Sequence, residues 1–139
     1  MKKLLGIIGM VFLLFACGTT GKQHSAKQNL ANEERDTLSY EQRRKYNYFF
    51  LEAVRLKQKG EYDAAFELYK HCLDIYPGSA PALYEISQFY MVLGQEQKGE
   101  EALKTAVRSD ESNFWYKQTL AVYYQRKRDW AKAIAVYDD

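Results

Sequence analysis

The stretch GEYDAAFELYKHCLDIYP, residues 60–77, contains the pattern from which the rest of the chain can be understood. It opens with Gly60, closes with Pro77, and carries apolar side chains three and four residues apart between them. This spacing is typical of an amphipathic helix. Glycine before the apolar run and proline after it are turn and stop signals, so we expect a helix over about 62–75.

The same pattern returns 34 residues later in the chain. Gly60 corresponds to Gly94, Ala65 corresponds to Gly99 and then to Ala133, and residues of each class recur at matching offsets. Helix pairs repeating at this period, with small and large residues alternating in this order, resemble the tetratricopeptide repeat. The resemblance covers about residues 46–139.

This resemblance implies an all-α fold, an α-solenoid of antiparallel helix pairs with about two and a half to three repeats. The repeats would span about 46–79, 80–113 and 114–139, and the last would be incomplete. The structural signature positions are Ala53, Gly60, Ala65, Pro77, Ser87, Gly94, Gly99, Ala121 and Ala133.

Small side chains at fixed positions have a packing reason. Two helices approach to about 8–10 Å only where the crossing point carries small residues. In the first repeat Ala53 and Ala65 would form that crossing, and Cys72 should be small because a neighbouring helix presses on it. Since no helix pair buries its apolar face alone, stacked pairs would share one core.

Capping signals predict six helices in the segment 39–139. Ser39 followed by Gln42 is a capping-box pattern, Ser79 precedes a helix with Pro81 in its first turn, and Asn113 can cap a later one. The predicted helices run from Ser39 to Lys59, then over about 62–75, 79–93, 96–108, 113–127 and from about 129 onward.

Several residues depart from the repeat pattern. Glu52 stands where the other repeats are apolar, Glu96 and Glu100 replace aromatic or apolar residues, and Arg128 takes the place of a glycine. These departures predict that the second helix of the middle repeat is the least stable.

The amino terminus, MKKLLGIIGMVFLLFACG, has the anatomy of a signal peptide. Two lysines precede an apolar run of thirteen residues, Leu4 to Ala16, whereas a membrane-spanning helix needs roughly 20. Leu14-Phe15-Ala16-Cys17 resembles a bacterial lipobox, which implies cleavage before Cys17 and lipidation of its thiol. An ordinary signal peptide with a chance cysteine is the alternative.

The segment 17–38 is polar, lacks aromatic residues and is predicted to be a flexible tether from the lipidated cysteine to the repeat domain. Without Lys2 and Lys3 the chain has 18 basic and 18 acidic side chains. This balance argues against a nucleic-acid partner, which a basic surface would attract. The predicted cellular location is the bacterial cell envelope. The outer membrane is favoured, and the lipid would be the membrane anchor.

Catalytic and cofactor motifs are missing from the sequence. It has no glycine-rich phosphate loop, no zinc-ligand spacing and two histidines, so we predict no enzyme activity, no cofactor, no metal site and no small-molecule substrate. His71 and Cys72 are adjacent, but neighbours on a helix do not face each other. Cys72 is predicted to be a buried apolar residue.

A protein or peptide partner is the better prospect. In tetratricopeptide repeats the first helices of successive repeats line a groove, and the family pattern places eleven residues of this chain there. They are Asn47, Phe50, Val54, Lys57, Tyr84, Gln88, Met91, Trp115, Gln118, Val122 and Arg126. Aromatic anchors mixed with amides are typical of peptide-binding surfaces. The family's cationic clamp for C-terminal carboxylates is missing.

We therefore expect a lipid-anchored envelope scaffold for protein–protein contacts. Ile134 and Tyr137 on the last helix would be open to water, which predicts either the amino-terminal part of a longer array or a partner chain that covers them. Residues 45–139 resemble the start of longer tetratricopeptide-repeat lipoproteins of Bacteroidota, and we expect the longer array. Two alternatives stay open. In the first, the chain is the amino-terminal interaction segment of a larger envelope enzyme or sensor; in the second, it is an outer-membrane assembly factor.

Overall fold

The computed structural model describes residues 38–138, in which helices alternate with short turns and no strand occurs. The predicted signal peptide, Cys17 and the predicted tether up to residue 37 lie outside the described residues. The six helices are α1 (Tyr40–Gln58), α2 (Tyr62–Ile75), α3 (Ala80–Val92), α4 (Glu96–Ser109), α5 (Phe114–Arg126) and α6 (Trp130–Asp138). These bounds agree with the predicted helices to within one or two residues.

The helix starts follow from capping side chains. Ser39 Oγ accepts a hydrogen bond from the backbone N–H of Gln42 at 3.2 Å, and Gln42 Oε1 accepts one from the N–H of Ser39 at 2.9 Å. Ser79 caps α3 through the N–H of Ala82, and Asn113 caps α5 through the N–H of Trp115. The predicted capping box and both predicted caps are confirmed.

Three turns between paired helices share one backbone conformation. Gly60 and Gly94 have φ values of 82° and 71°, and Arg128 has φ of 60° at the corresponding place. This left-handed region suits glycine, which has no Cβ, and strains other residues. Arg128 thus completes the third turn at an energetic cost that the two glycines avoid.

The core is continuous from one helix pair to the next. Ala53 and Leu56 of α1, Ala65 and Tyr69 of α2, and Ile86 of α3 form one buried cluster. Two further clusters join α3 to α4 and α5, and α4 to α5 and α6. Each pair therefore shares apolar contacts with its neighbour, and the predicted all-α solenoid is confirmed.

The small residues at the predicted helix crossings are buried, as close packing requires. The six small residues at the crossings are all buried: Ala53, Ala65, Ser87, Gly99, Ala121 and Ala133. Cys72 and Ala106 are also fully buried, as the repeat pattern predicts. Small side chains at these points let the helices approach closely.

The departures from the repeat pattern find partners in the structure. Glu52 forms a surface ion pair with Arg55 on the outer side of α1, whereas Ile86 and Leu120 at the corresponding positions are buried. Glu96 pairs with Lys127, and Glu100 accepts hydrogen bonds from two tyrosines of α5. Glu96 and Glu100, from which the sequence predicts a low stability of α4, therefore connect α4 to the end of α5.

Candidate functional site

The first helices of the three pairs, α1, α3 and α5, lie next to one another. Lys57 Nζ of α1 is 2.5 Å from Glu85 Oε2 of α3, and the ring of Tyr84 on α3 lies 4.9 Å from that of Tyr116 on α5, measured between centroids. The eleven residues predicted from the family pattern lie on these three helices. We refer to this surface as the first-helix groove.

On α1, the groove combines an exposed amide with a supported aromatic ring. Asn47 is exposed. Phe50 is half-buried, because its ring packs against Tyr69 at 5.6 Å and stacks on Tyr46 at 5.9 Å. Phe50 is therefore held in place by the core while one side of its ring remains accessible.

On α3, the three predicted residues have different roles. Tyr84 is half-buried on Tyr116, and Gln88 Nε2 donates a hydrogen bond to Ser87 Oγ at 3.2 Å. The side chain of Met91 covers Gly99, where an added Cβ would lie 2.9 Å from the methionine sulfur. Met91 therefore contributes to the α3–α4 crossing, a role that the groove prediction did not include.

On α5, the predicted residues extend over the whole helix. Trp115 in the first turn is 69% exposed, Gln118 is half-buried, and Arg126 in the last turn is exposed. Trp115 and Arg126 are separated by almost the full length of a thirteen-residue helix, about 17 Å at 1.5 Å per residue. An extended peptide needs about five residues to reach from one to the other.

A cleft of about 280 Å³ lies where α1 passes the turn between α2 and α3. Asn47 and Phe50 line it from α1, and Pro81 lines it from the start of α3. Apart from Asn47 and Phe50, no lining residue was predicted to belong to the site; besides Pro81 these are Leu38, Arg43, Tyr46, Tyr76, Gly78, Ser79, Ala80 and Ser109. They come from α1 and the segment just before it, from the turn between α2 and α3 with the start of α3, and from the end of α4, which periodicity within one helix does not bring together.

The wall of this cleft is fixed by a contact between distant parts of the chain. The hydroxyl groups of Tyr46 and Ser79 are hydrogen-bonded at 2.5 Å, and Ser79 Oγ also accepts from the N–H of Ala82. The Ser79 side chain, which caps α3, therefore also positions α1. The 33-residue separation of the two residues explains why a search for local motifs did not find this pair.

The electrostatics of the groove depend on Lys57 and Glu85. Their ion pair places an opposite charge beside the Lys57 ammonium group. Near this ion pair, the hydroxyl of Tyr69 is fully buried and has no hydrogen-bond partner among residues 38–138. Burial, followed by the nearby charge of Glu85, raises the pKa of Tyr69. The groove thus presents aromatic, amide and paired charged groups.

Cys72 is a buried free thiol in the described segment. Burial raises the pKa of the Cys72 thiol to about 12, so the thiol is protonated at neutral pH, and Sγ lies 3.9 Å from the carbonyl oxygen of Tyr46. Within residues 38–138 no three His, Cys, Asp or Glu side chains are grouped to hold a metal ion. None of the helices in this segment has both the length and the apolar content to cross a bilayer.

A second cleft, of about 350 Å³, lies on another side of the domain, between α4, α5 and α6. Val107, Leu120 and Tyr124 contribute apolar surface to it. Lysine and arginine side chains also line it: Lys104, Arg108, Lys117 and Lys132. It contains none of the eleven residues predicted for the groove.

Comparison with known families gives a match within the repeat segment. The tetratricopeptide repeat family matches residues 56–122, which extend from the end of α1 to the second half of α5. Comparison with curated proteins gives no match. Tetratricopeptide repeats generally mediate protein–protein interaction and are typically scaffolds rather than enzymes. The match and the stacked helix pairs together identify residues 56–122 as a tetratricopeptide repeat domain.

Proposed function

We propose that this chain is a lipid-anchored protein of the bacterial cell envelope, favoured at the outer membrane, and that its repeat domain is a scaffold for a protein or peptide partner. The observation that carries the proposal is the cleft of about 280 Å³ beside the first-helix groove. In it the supported ring of Phe50 and the exposed amide of Asn47 share one opening.

The chemistry of the groove favours a peptide with apolar and amide groups. A rigid aromatic ring provides contact area at little entropic cost, and an amide fixes the register of a peptide by hydrogen bonding. The Lys57 ammonium is already paired with Glu85, so a peptide carboxylate has to compete for it. This pairing supports a neutral or mixed segment as the ligand.

The outer face of α6 supports docking of a further repeat helix. In the first pair, Phe66 of α2 contacts Phe89 and Tyr90 of α3 at 5.5 and 5.6 Å between ring centroids. Ile134 of α6 occupies the position corresponding to Phe66 and is 64% exposed, and Tyr137, which corresponds to the fully buried Tyr69, is 50% exposed. In a longer array, the next helix would pack on α6 as α3 packs on α2, and it would cover the side chains of Ile134 and Tyr137.

Photo-crosslinking tests the groove. A photoreactive amino acid at Asn47 or Trp115 should trap the same partner in intact cells, because both side chains are exposed on the groove helices. The same group at Glu67 or Asp74, exposed on α2, is the matched control. Equal crosslinking from groove and control positions contradicts the assignment of the groove as the binding surface.

Metabolic labelling tests the anchor. The lipobox resemblance around Cys17 predicts that palmitate is incorporated into the chain and that Cys17→Ala abolishes the incorporation and releases the protein from membranes. Cys72→Ala is the control, because the buried Cys72 thiol is not expected to be acylated. Unchanged labelling of the Cys17→Ala variant refutes the lipoprotein assignment.

A further inference from the structure

The turns that join paired helices expose an unusual combination of side chains. Val92 and Leu93 at the end of α3 are 86% and 56% exposed, and Trp130 at the start of α6 is 61% exposed. Arg126, which is the last residue of α5 and one of the eleven residues predicted for the groove, is also exposed, as is Arg128 in the turn before α6. We refer to these five residues as the turn-edge patch.

The parts of the turn-edge patch belong to neighbouring turns. Lys127 forms an ion pair with Glu96, the first residue of α4. This contact joins the turn after α5 to the turn after α3, so the aliphatic and the cationic parts of the patch lie along one edge of the domain.

The two arginines of the patch are not used by the fold. Lys127 between them is paired, but Arg126 and Arg128 have no ion pair or side-chain hydrogen bond with any residue of the described segment. Arg128 also has φ of 60°, where the other two turns have glycine. A strained residue with an unpaired charge is a reason to look for an external binding partner.

The shape of the patch favours one class of surface. The exposed fractions of Val92, Leu93 and Trp130 show that these side chains project into solvent where α3 ends and α6 begins. Tryptophan is enriched at the headgroup level of membranes, and arginine is attracted to anionic lipids there.

We propose that the turn-edge patch docks on an anionic lipid surface, with Val92, Leu93 and Trp130 entering the interface and Arg126 and Arg128 contacting headgroup phosphates. This proposal adds an orientation to the proposed membrane attachment. It does not depend on Cys17, since the patch makes its own contacts with lipid.

Fluorescence of single-tryptophan variants tests the proposal. Trp115→Phe leaves Trp130 as the reporter. Trp130→Phe leaves Trp115 as the control, since Trp115 is similarly exposed but lies in the first turn of α5, away from the patch. The full chain is mixed with vesicles of phosphatidylcholine, with or without roughly 30 mol% phosphatidylglycerol, that contain brominated lipids. With anionic vesicles, Trp130 emission should shift to the blue and be quenched roughly twofold, and Trp115 emission should change little.

Charge variants separate the contribution of the arginines. Arg126→Glu with Arg128→Glu, in the Trp115→Phe background, should abolish the quenching. Arg44→Glu with Lys117→Glu makes the same change of charge away from the patch and should preserve it. Arg128→Gly is a second variant that relieves backbone strain, so the reduced quenching expected for it cannot be due to unfolding.

The outcomes distinguish this proposal from membrane anchoring itself. If the chain sediments with vesicles but Trp130 remains unquenched, the docking proposal is overturned and the anchor is unaffected. Equal quenching of Trp115 and Trp130, or absence of any association with anionic vesicles, also overturns it. In those cases the patch is better assigned to an acidic protein surface.

Discussion

The carboxylate of Glu100 on α4 accepts a hydrogen bond from the hydroxyl of Tyr124 on α5 at 3.0 Å. Its second oxygen accepts one from Tyr123 at 3.1 Å. Tyr124 is buried, so its hydroxyl has little access to water once Glu100 is removed. Glu100 is one of the departures from the repeat pattern that predict a low stability for α4. In the structure its carboxylate connects the second and third helix pairs.

Glu100→Ala should lower the free energy of unfolding by about 1–3 kcal/mol, because hydrogen bonds to a charged acceptor are lost and a buried hydroxyl is left unpaired. Urea unfolding followed by circular dichroism measures the change. Glu101→Ala, at an exposed site beside it, is the control and should change stability by about 0.5 kcal/mol or less. Equal effects of the two substitutions contradict the role assigned to Glu100.

Ala65→Leu should destabilise the domain by about 1–3 kcal/mol, since Ala65 is fully buried at the α1–α2 crossing and a larger side chain overpacks it. Ala64→Leu places the same side chain on the exposed neighbour and should be close to neutral. Thermal unfolding of both variants is the measurement. An unchanged melting temperature for Ala65→Leu is incompatible with the assigned helix crossing.

Arg128→Gly should raise stability by about 1 kcal/mol, because glycine adopts φ of 60° without the steric cost that a Cβ brings. Gly94→Ala makes the reverse change at the corresponding turn. A Cβ there meets no atom within 4 Å, so backbone strain alone should lower stability by a similar amount. Chemical unfolding of both proteins should therefore show shifts of opposite sign.

Tyr69→Phe should stabilise the domain by about 1 kcal/mol, since it removes a buried hydroxyl that has no hydrogen-bond partner in the described segment. Leu103 is apolar at the corresponding position of the middle repeat and is also buried. Equilibrium unfolding at neutral pH tests the change. A loss of stability indicates instead that the hydroxyl has a partner, such as a buried water molecule.

The buried thiol of Cys72 should make the free energy of unfolding fall as the pH rises into the alkaline range. Its folded pKa of about 12 lies above the value of about 8.5 for an unfolded cysteine, so between these values the unfolded chain releases a proton that the folded chain keeps. Stability from this group is complete below about pH 8.5 and falls as pH rises towards 12, by up to about 1.4 kcal/mol per pH unit.

Cys72→Ala tests this dependence, because the middle repeat already has Ala106 at the corresponding position. The variant should lose stability less steeply than the parent chain between about pH 8.5 and 10, a range below the usual tyrosine pKa of about 10. Urea unfolding at several pH values provides the comparison. Parallel pH profiles for the two proteins rule out the proposed effect of the thiol.

Residue order along the chain was sufficient to predict the helix pairs and their caps. Gly60 and Gly94 mark turns, Ser39 and Asn113 mark helix starts, and small residues at one-repeat spacing mark the crossings. These signals are local or strictly periodic, because a cap needs two to three residues and a helix crossing depends on side-chain size. The structure confirms them for that reason.

Contacts between distant residues needed the folded chain. The Tyr46–Ser79 hydrogen bond, the use of Glu100 by α5 and the packing of Met91 over Gly99 each depend on how helices are oriented in space. Periodicity places a side chain on a face of its helix, but only tertiary packing determines which neighbour that face meets. The cleft beside Asn47 follows from this packing, since residues of α1, of the turn between α2 and α3 and of the end of α4 line it together.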